Sequence, residues 1–327
     1  MSAQLTSCWV ISDGRRGIEN QALGLAEALA QLMPLNITTH ILQSGKLFKA
    51  LPPSVQLSLK SKPKRYGLSQ TGPQIAIGCG RQAIAPLRAL KAKYRAGIFT
   101  IYVQDPRINP AHFDLVVSPE HDKARGPNVL TMIGSPNRIN AERLQQGALA
   151  FSDIIDPMPM PRVAVLIGGT SKTHELSESL HTTHVQAICK LAKDGHTVMM
   201  TTSRRTPDWA VSAYQEMTKD RRNVWLWDGK GENPYFAFLG SADAILVTED
   251  STNMLTEACA TGKPVFTLPM KGEPGKFTQL YEALNTRCHV KPFTGSIDAA
   301  AYEPLNETNR IANLIETKIT MARLSKK

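Results

Sequence analysis

Two successive α/β halves, each a mostly parallel Rossmann-like sheet and the two facing each other across a cleft, are the fold class that the sequence predicts. Three observations lead there. Apolar runs of strand length alternate with helix-period stretches along the whole chain, which is the rhythm of βαβ units. A segment with prolines at alternate positions, Pro157, Pro159 and Pro161, interrupts that rhythm near the middle, and the rhythm then restarts. The length, 327 residues, suits two domains better than one.

In the first half, Cys8-Trp9-Val10-Ile11 reads as the opening strand. A helix is expected from Ile18 to Met33, with Ala22, Leu25, Ala26 and Leu29 on one face. Pro34 stops it, because proline has no N–H to give a helix. Ile37 to Leu42 is the next strand. Gln74 to Ile77 follows, then Gly78-Cys79-Gly80 and a helix from Arg81 to Lys93. Gly97 to Val103 and Phe113 to Val117 read as strands, and Asn137 to Phe151 as a helix. Three alternate prolines fit neither a helix interior nor a central strand, so the segment 153–161 reads as a stiff linker. The expected domains are therefore 1–152 and 162–327.

In the second half, Val163 to Ile167 is a strand and His174 to Lys193 a helix that ends at Gly195. His196 to Thr201 is a strand, and Pro207 opens another helix. Val224 to Trp227, Ala244 to Val247 and Pro264 to Leu268 are strands. Thr252 to Ala260 is a helix that stops at Gly262. A last helix, Leu305 to Leu324, is expected to close the second domain.

A chain that is 42% hydrophobic and 20% charged is globular, neither disordered nor fibrous. Its five cysteines, Cys8, Cys79, Cys189, Cys259 and Cys288, are scattered and form no C-x-x-C pair. That pattern argues for reduced thiols in the cytoplasm and against a zinc or disulfide framework. Met1 to Val10 lacks the basic-then-apolar pattern of a signal peptide. No apolar run reaches the roughly 20 residues that span a bilayer. A cytoplasmic protein is expected, at most peripheral at the inner face of a membrane.

The net charge of +10 is uneven: +8 lies up to Asp156 and +2 after it. Such a half attracts anions. The stretch Lys46 to Arg65 mixes Leu47, Phe48, Leu51, Val55, Leu57 and Leu59 with Lys46, Lys49, Lys60, Lys62, Lys64 and Arg65. That mixture suits an anionic membrane surface, although Pro52 and Pro53 break any long amphipathic helix, and a partly buried loop is the other reading. No zinc finger or interleaved aromatic–basic pattern is present, so no nucleic-acid partner is expected.

The segment from Val247 to Val265, VTEDSTNMLTEACATGKPV, carries the most chemistry. A strand runs through a short polar turn into a helix, whose N-terminus suits an anion such as a diphosphate. Ser251, Thr252 and Asn253 supply short polar groups there. Glu257, about one turn on, can accept the hydroxyls of a ribose, as acidic residues do in other nucleotide folds. An ordinary helix capped by Asp250 or Ser251 is the competing reading.

This segment resembles the donor-binding strand–loop–helix of the GT-B glycosyltransferases. In detail it is similar to the mitochondrial-fission ELM family of plants and its bacterial relatives, which are regarded as glycosyltransferases. The opening Ser12-Asp13-Gly14-Arg15-Arg16-Gly17-Ile18-Glu19-Asn20-Gln21 and Ile167-Gly168-Gly169-Thr170 are similar too. The likeness covers nearly the whole chain. It implies a nucleotide-sugar donor such as a UDP-sugar, no metal and no cofactor, and transfer of the sugar to an acceptor hydroxyl that is lipid- or envelope-linked. Gly168, Gly169 and Thr170 would approach the diphosphate, with a tight turn as the alternative. Ser203 and Arg204 would join them, with Arg204 neutralising phosphate or standing as a plain surface residue. Ser251, Thr252, Asn253 and Met254 would line the nucleotide, and Glu257 would hold its ribose.

The first half is the acceptor side in that fold. An inverting transferase needs a base for the acceptor hydroxyl, and Asp13 is the candidate. The alternative is that Asp13 only caps the helix that starts near Gly17. Gly14, Glu19, Gln21, Asp105 and Arg107 are further acceptor-side candidates. The plant members of the family recruit a dynamin-like partner, so a non-catalytic adaptor is the competing function. A nucleotide-sugar epimerase is another, since it shares the scaffold. His174, His181 and His184 are expected to be solvated helix residues and not metal ligands, because no acid or cysteine accompanies them at ligand spacing.

Overall fold

Strands of a parallel sheet are buried on both faces, because the crossover helices cover each side. The opening strand β1, Thr6–Ser12, is buried at almost every position. The structure is a computed structural model that describes residues 5–42, 51–52, 55–56, 62–68 and 71–324. The chain divides into two units, Met1–Arg138 with Asn306–Lys327, and Ile139–Leu305.

In the first unit β1 is followed by α1 (Arg16–Ala30), β2 (Leu35–Ile41), β3 (Ile75–Cys79), α2 (Ile84–Tyr94), β4 (Phe99–Val103), β5 (Leu115–Pro119) and β6 (Val129–Met132). The sheet order is β2-β1-β3-β4-β5-β6, with every pairing parallel. Leu25 and Leu29 of α1 fill one face of the sheet, while Leu87 and Leu90 of α2 fill the other.

The second unit holds α3 (Ala141–Ala150), α4 (Ser152–Ile155), β7 (Arg162–Ile167), β8 (His174–Glu175), α5 (Glu178–Lys193), β9 (Thr197–Thr202), α6 (Asp208–Thr218), β10 (Val224–Trp227), α7 (Tyr235–Ser241), β11 (Ala244–Thr248), α8 (Thr252–Cys259), β12 (Val265–Leu268), β13 (Lys271–Gly272), α9 (Thr278–Cys288) and β14 (Lys291–Pro292). Its main sheet has the order β10-β9-β7-β11-β12-β14, again all parallel, and β13 pairs antiparallel with β8. The last helix, α10 (Glu307–Leu324), returns to the first unit.

The units divide the chain differently from the sequence expectation, for packing reasons. Ile311, Ile315 and Ile319 of α10 are buried in the same core as Leu25 and Leu29. Each such burial is worth about 1.5–3 kcal/mol. The Glu307 carboxylate accepts from the Ile133 amide at 2.8 Å, and the Thr308 hydroxyl accepts from the Asn137 amide at 3.1 Å. The last helix thus completes the first unit and not the second. In the other direction, α3 packs on α7. A Cβ at Gly147 would stand 2.8 Å from the Phe236 backbone, and one at Gly240 would stand 2.5 Å from the Leu144 carbonyl, so the two helix backbones need glycine to come this close. The first crossing falls between Arg138 and Ile139. The segment 153–161, expected as an extended stiff linker between domains, lies inside the second unit and begins in α4; its Pro159 carbonyl accepts from the Thr197 hydroxyl at 2.7 Å, and its Pro161 carbonyl from the Thr197 amide at 3.0 Å.

Candidate functional site

Parallel strands all end at one edge of the sheet, and ligands bind there where the strand order reverses and the connections part. In the second unit that place lies between β7 and β11. Gly168-Gly169-Thr170 follows β7, and Glu249-Asp250-Ser251 follows β11, so the two turns flank one point.

The Gly168 amide donates to Thr248 Oγ1 at 2.7 Å, and that hydroxyl donates to Asp250 Oδ1 at 2.7 Å. The Gly169 amide donates to Asp250 Oδ2 at 3.0 Å, and Arg205 Nη2 lies 2.7 Å from the same oxygen. The Asp250 side chain is fully buried, and a buried carboxylate requires such a set of donors. The Thr206 hydroxyl donates to the Gly168 carbonyl and ties the turn after β9 to the turn after β7.

These contacts correct the reason for the glycine pair. A Cβ on Gly168 would stand 2.1 Å from Asp250 Oδ1, and one on Gly169 would stand 2.0 Å from the Arg205 carbonyl oxygen. Both amides are taken up inside the protein, so the expectation that the two glycines give their backbone to a phosphate is replaced by close packing of Asp250 and of the 203–206 turn. Thr170 is exposed at the rim. Gly169→Ala is expected to destabilise the fold by about 1–3 kcal/mol through overpacking, measured by chemical denaturation. Wild-type stability in that variant would contradict the tight approach of the 203–206 turn.

Of the two consecutive arginines it is Arg205, not Arg204, that reaches Asp250; Arg204 is exposed. Ser203 shapes the turn, its Oγ accepting from the Arg205 amide at 3.1 Å. Both arginines are exposed, and which of them reaches Asp250 depends on the turn geometry, which sequence spacing does not carry.

Ser251 caps α8, its Oγ accepting from the Met254 amide at 3.4 Å. Asp250, the other cap candidate, holds the glycine turn instead. Thr252, Asn253 and Met254 are half-buried in the first turn of α8, and Glu257 lies on the next. The Tyr235 hydroxyl, at the start of α7, donates to Glu257 Oε2. Burial pushes the Glu257 carboxyl up to about 7, and the Tyr235 hydrogen bond acts against that rise. The other end of α7 is held by the same motif. Lys263 Nζ donates to the Leu239 carbonyl at 2.8 Å and to the Gly240 carbonyl at 2.5 Å, and burial lowers its ammonium to about 8. Sequence reasoning missed Thr248, Arg205, Thr206 and Tyr235, and gave Asp250 only a capping role. Asn233-Pro234-Tyr235 has no recognisable spacing to the motif, since the two are joined only by tertiary contact.

The first unit has its own reversal, between β1 and β3. Asp13-Gly14 follows β1 and Gly80-Arg81 follows β3. Asp13 Oδ1 accepts from the Arg15 amide at 3.2 Å, and Oδ2 lies 2.9 Å from Arg15 Nε and 2.8 Å from Nη2. The Asp13 side chain is 8% exposed and that of Arg15 58%. Helix α1 has Arg15 at its cap position with no side-chain cap, so Asp13 does not cap the helix. Gly14 has φ +84°. Glu19 stands in the first turn of α1, where a carboxylate favours the helix dipole. Gln21 is buried, and its Oε1 accepts from Cys79 Sγ at 3.3 Å and from Gln104 Nε2 at 3.1 Å. Gln104 is held at φ +93° and Arg107 at φ +53°, a strained pair of positions for residues with side chains. Asp105 closes that turn by accepting from the Arg107 amide at 2.8 Å, and Arg107 is exposed. The structure thus joins Gln21 to the loop after β4 and places Asp13 on Arg15, while Asp105 shapes its own turn.

The expectation that the three histidines are solvated helix residues fails. His174 lies in β8, and His181 and His184 lie on the inward face of α5; all three are buried. The His181 ring packs 5.0 Å from Trp209 and 4.6 Å from Tyr214. His184 Nε2 sits 2.8 Å from the Pro269 carbonyl, and burial lowers its imidazole to about 4. Among the described residues no group of three or more His, Cys, Asp and Glu is placed to hold a metal. Most of the segment 46–65, including Lys46, Lys49 and Lys60, lies outside the described residues. No helix among the described residues is long and apolar enough to cross a membrane.

Comparison with solved structures agrees with this architecture. A candidate UDP-N-acetylglucosamine 2-epimerase of Listeria monocytogenes matches at a TM-score of 0.56 and 13% identity, covering 96% of each chain. MurG of Acinetobacter baumannii matches at 0.53 and 14% identity, covering 95% of this chain and 99% of that one. The fold is that of the GT-B glycosyltransferases and the UDP-N-acetylglucosamine 2-epimerases. A protein of Arabidopsis thaliana named mitochondrial fission protein ELM1 is 29% identical over 289 residues, which is 78% of this chain and 66%, just under two thirds, of the plant protein. Residues 16–319 match the family described as mitochondrial fission ELM1, a span that begins after Asp13 and takes in the turns after β7 and β11 and α8 with its Glu257. The chain therefore belongs to the mitochondrial fission ELM1 family.

Proposed function

We propose that the chain binds a nucleotide sugar at the β7–β11 edge of its second unit and transfers the sugar to an acceptor hydroxyl without a metal. The observation that carries this reading is the convergence at that edge of the α8 N-terminus, the Asp250-braced glycine turn and the Glu257 carboxyl. The helix dipole and the first turn, Ser251 to Met254, receive the diphosphate. Ser203, Arg204 and Thr170 stand on the same strand-end side, and either arginine of the 204–205 pair can meet phosphate charge as it builds on the leaving group. The Gly168-Gly169 turn supports the site by fixing Asp250. Glu257 accepts from the ribose hydroxyls. In the first unit Asp13 takes the acceptor proton, with Gly14, Glu19, Gln21, Asp105 and Arg107 around the acceptor.

A thermal-shift series with nucleoside diphosphates and nucleotide sugars tests the donor site. A ligand at about 100 times its dissociation constant adds roughly 2.7 kcal/mol of stability. If no nucleotide raises the melting temperature, the donor reading fails. The name of the plant relative supports a second reading, a non-catalytic adaptor on the same scaffold. Nucleotide binding without turnover of any donor favours that reading, and interconversion of a UDP-sugar without an acceptor favours an epimerase.

The basic surplus of the sequence up to Asp156 also supports weak attachment to anionic lipid through Lys46 to Arg65. Each basic residue near such a surface is worth about 1 kcal/mol. Replacing Lys60, Lys62, Lys64 and Arg65 by Gln is expected to abolish salt-sensitive co-sedimentation with phosphatidylserine vesicles. Unchanged co-sedimentation would remove the membrane from the proposal.

A further inference from the structure

Helix α7 is gripped at both ends by the α8 motif. Its first residue, Tyr235, gives its hydroxyl to Glu257 Oε2, and its last carbonyls accept from Lys263. A half-buried tyrosine can satisfy its hydroxyl with any acceptor in reach. This one aims a donor at the carboxylate that the proposed function assigns to ribose. No other ionisable side chain among the described residues is hydrogen-bonded to Glu257. One carboxylate oxygen is thereby committed to Tyr235, and Glu257 Oε1 remains for a ligand.

We infer that Tyr235 is a positioning residue that holds Glu257 in the ribose-accepting orientation, and that a nucleotide and a proton compete for Glu257. The inference rests on the donor-site reading and deepens it. A carboxylate accepts ribose hydroxyls better than a carboxylic acid does, because charge-assisted hydrogen bonds are about twice as strong as neutral ones. With the carboxyl pushed up to about 7, nucleotide affinity rises as pH rises through neutrality and levels off above it. The Tyr235 hydrogen bond favours the ionised form, so its removal moves the same rise to higher pH.

The experiment measures dissociation constants of UDP and 2′-deoxy-UDP from pH 5.5 to 9 for the wild-type chain, Tyr235→Phe and Glu257→Gln. The two nucleotides share the titration of their phosphates, so the ratio of their affinities isolates the 2′-hydroxyl. In the wild type the preference for UDP is expected to be small at pH 5.5 and to grow to about tenfold above pH 8. In Tyr235→Phe the preference is weakened at pH 7.5 and recovers at pH 9, which a merely structural loss would not do. In Glu257→Gln it does not change with pH.

The ligand-free protein supplies a second readout. The folded chain keeps the Glu257 proton up to about 7, whereas an unfolded glutamate releases it near about 4.3. Wild-type stability therefore falls between those two values as pH rises and then levels off. Glu257→Gln lacks that loss, so its melting temperature rises relative to wild type between pH 5 and pH 8. A preference for UDP that is flat with pH in the wild type overturns the inference, as does a Tyr235→Phe curve that superimposes on it. If UDP binds at no pH, the donor site itself is wrong and the inference falls with it. UDP binding without pH dependence leaves the donor site standing and removes only the positioning role of Tyr235 and the competition with a proton.

Discussion

Asp13→Asn is expected to lower sugar transfer by about 10²–10⁴-fold, the range for loss of a general base, with nucleotide affinity unchanged. Asparagine keeps the size of the side chain and a carbonyl oxygen that can still accept from the Arg15 amide, so the turn after β1 survives. What it removes is the basic oxygen. The structure narrows the alternatives, because Asp13 is not the cap of α1 and a capping role no longer competes. The remaining alternative is that Asp13 serves only to hold Arg15, whose guanidinium it binds at 2.8 Å. Arg15→Gln separates the two. If Asp13 only anchors Arg15, then Arg15→Gln reproduces the whole loss; if Asp13 is the base, Arg15→Gln retains most of the turnover. Donor affinity, measured in the same variants, guards against a general loss of structure. Wild-type turnover in Asp13→Asn would take Asp13 out of the mechanism and move attention to Glu19 and Asp105.

Glu257→Ala is expected to abolish most of the thermal stabilisation given by UDP. Two ribose hydroxyls lose a charged acceptor, and hydrogen bonds to charged groups are worth about 1.5–3 kcal/mol each. A loss of that size is enough to erase a stabilisation of roughly 2.7 kcal/mol at a fixed ligand concentration. The ligand-free variant also changes, since the Tyr235 hydroxyl is left without its acceptor. The quantity to compare is therefore the shift caused by UDP in each protein, not the melting temperature itself. A full UDP shift in Glu257→Ala would place the ribose elsewhere and leave Glu257 as a half-buried partner of Tyr235 alone.

The sequence by itself determined the two α/β halves, most of the strands and the strand–turn–helix from Val247 to Val265. It could do so because these features are local. Strand and helix periodicities repeat within a few residues, and the run from Val247 to Val265 is a contiguous strand–turn–helix. Ser251 as a cap was also legible, since an N-cap needs only a short polar side chain just before the helix. The weaker elements, β6, α4, α7, α9 and the short strands β8, β13 and β14, were not read, because their periodicity is short or mixed.

Only the tertiary structure decided the rest. It gave the last helix to the first unit through Ile311, Ile315 and Ile319, and gave α3 to the second through Gly147 and Gly240. It turned Arg205 and not Arg204 to Asp250, buried three histidines that read as solvated, and set Tyr235 on Glu257. Each of these joins residues distant in sequence, or chooses between neighbours by the direction of a turn. The physical reason is the same throughout: side-chain direction and long-range packing are fixed when the sheets assemble, and no local pattern records them.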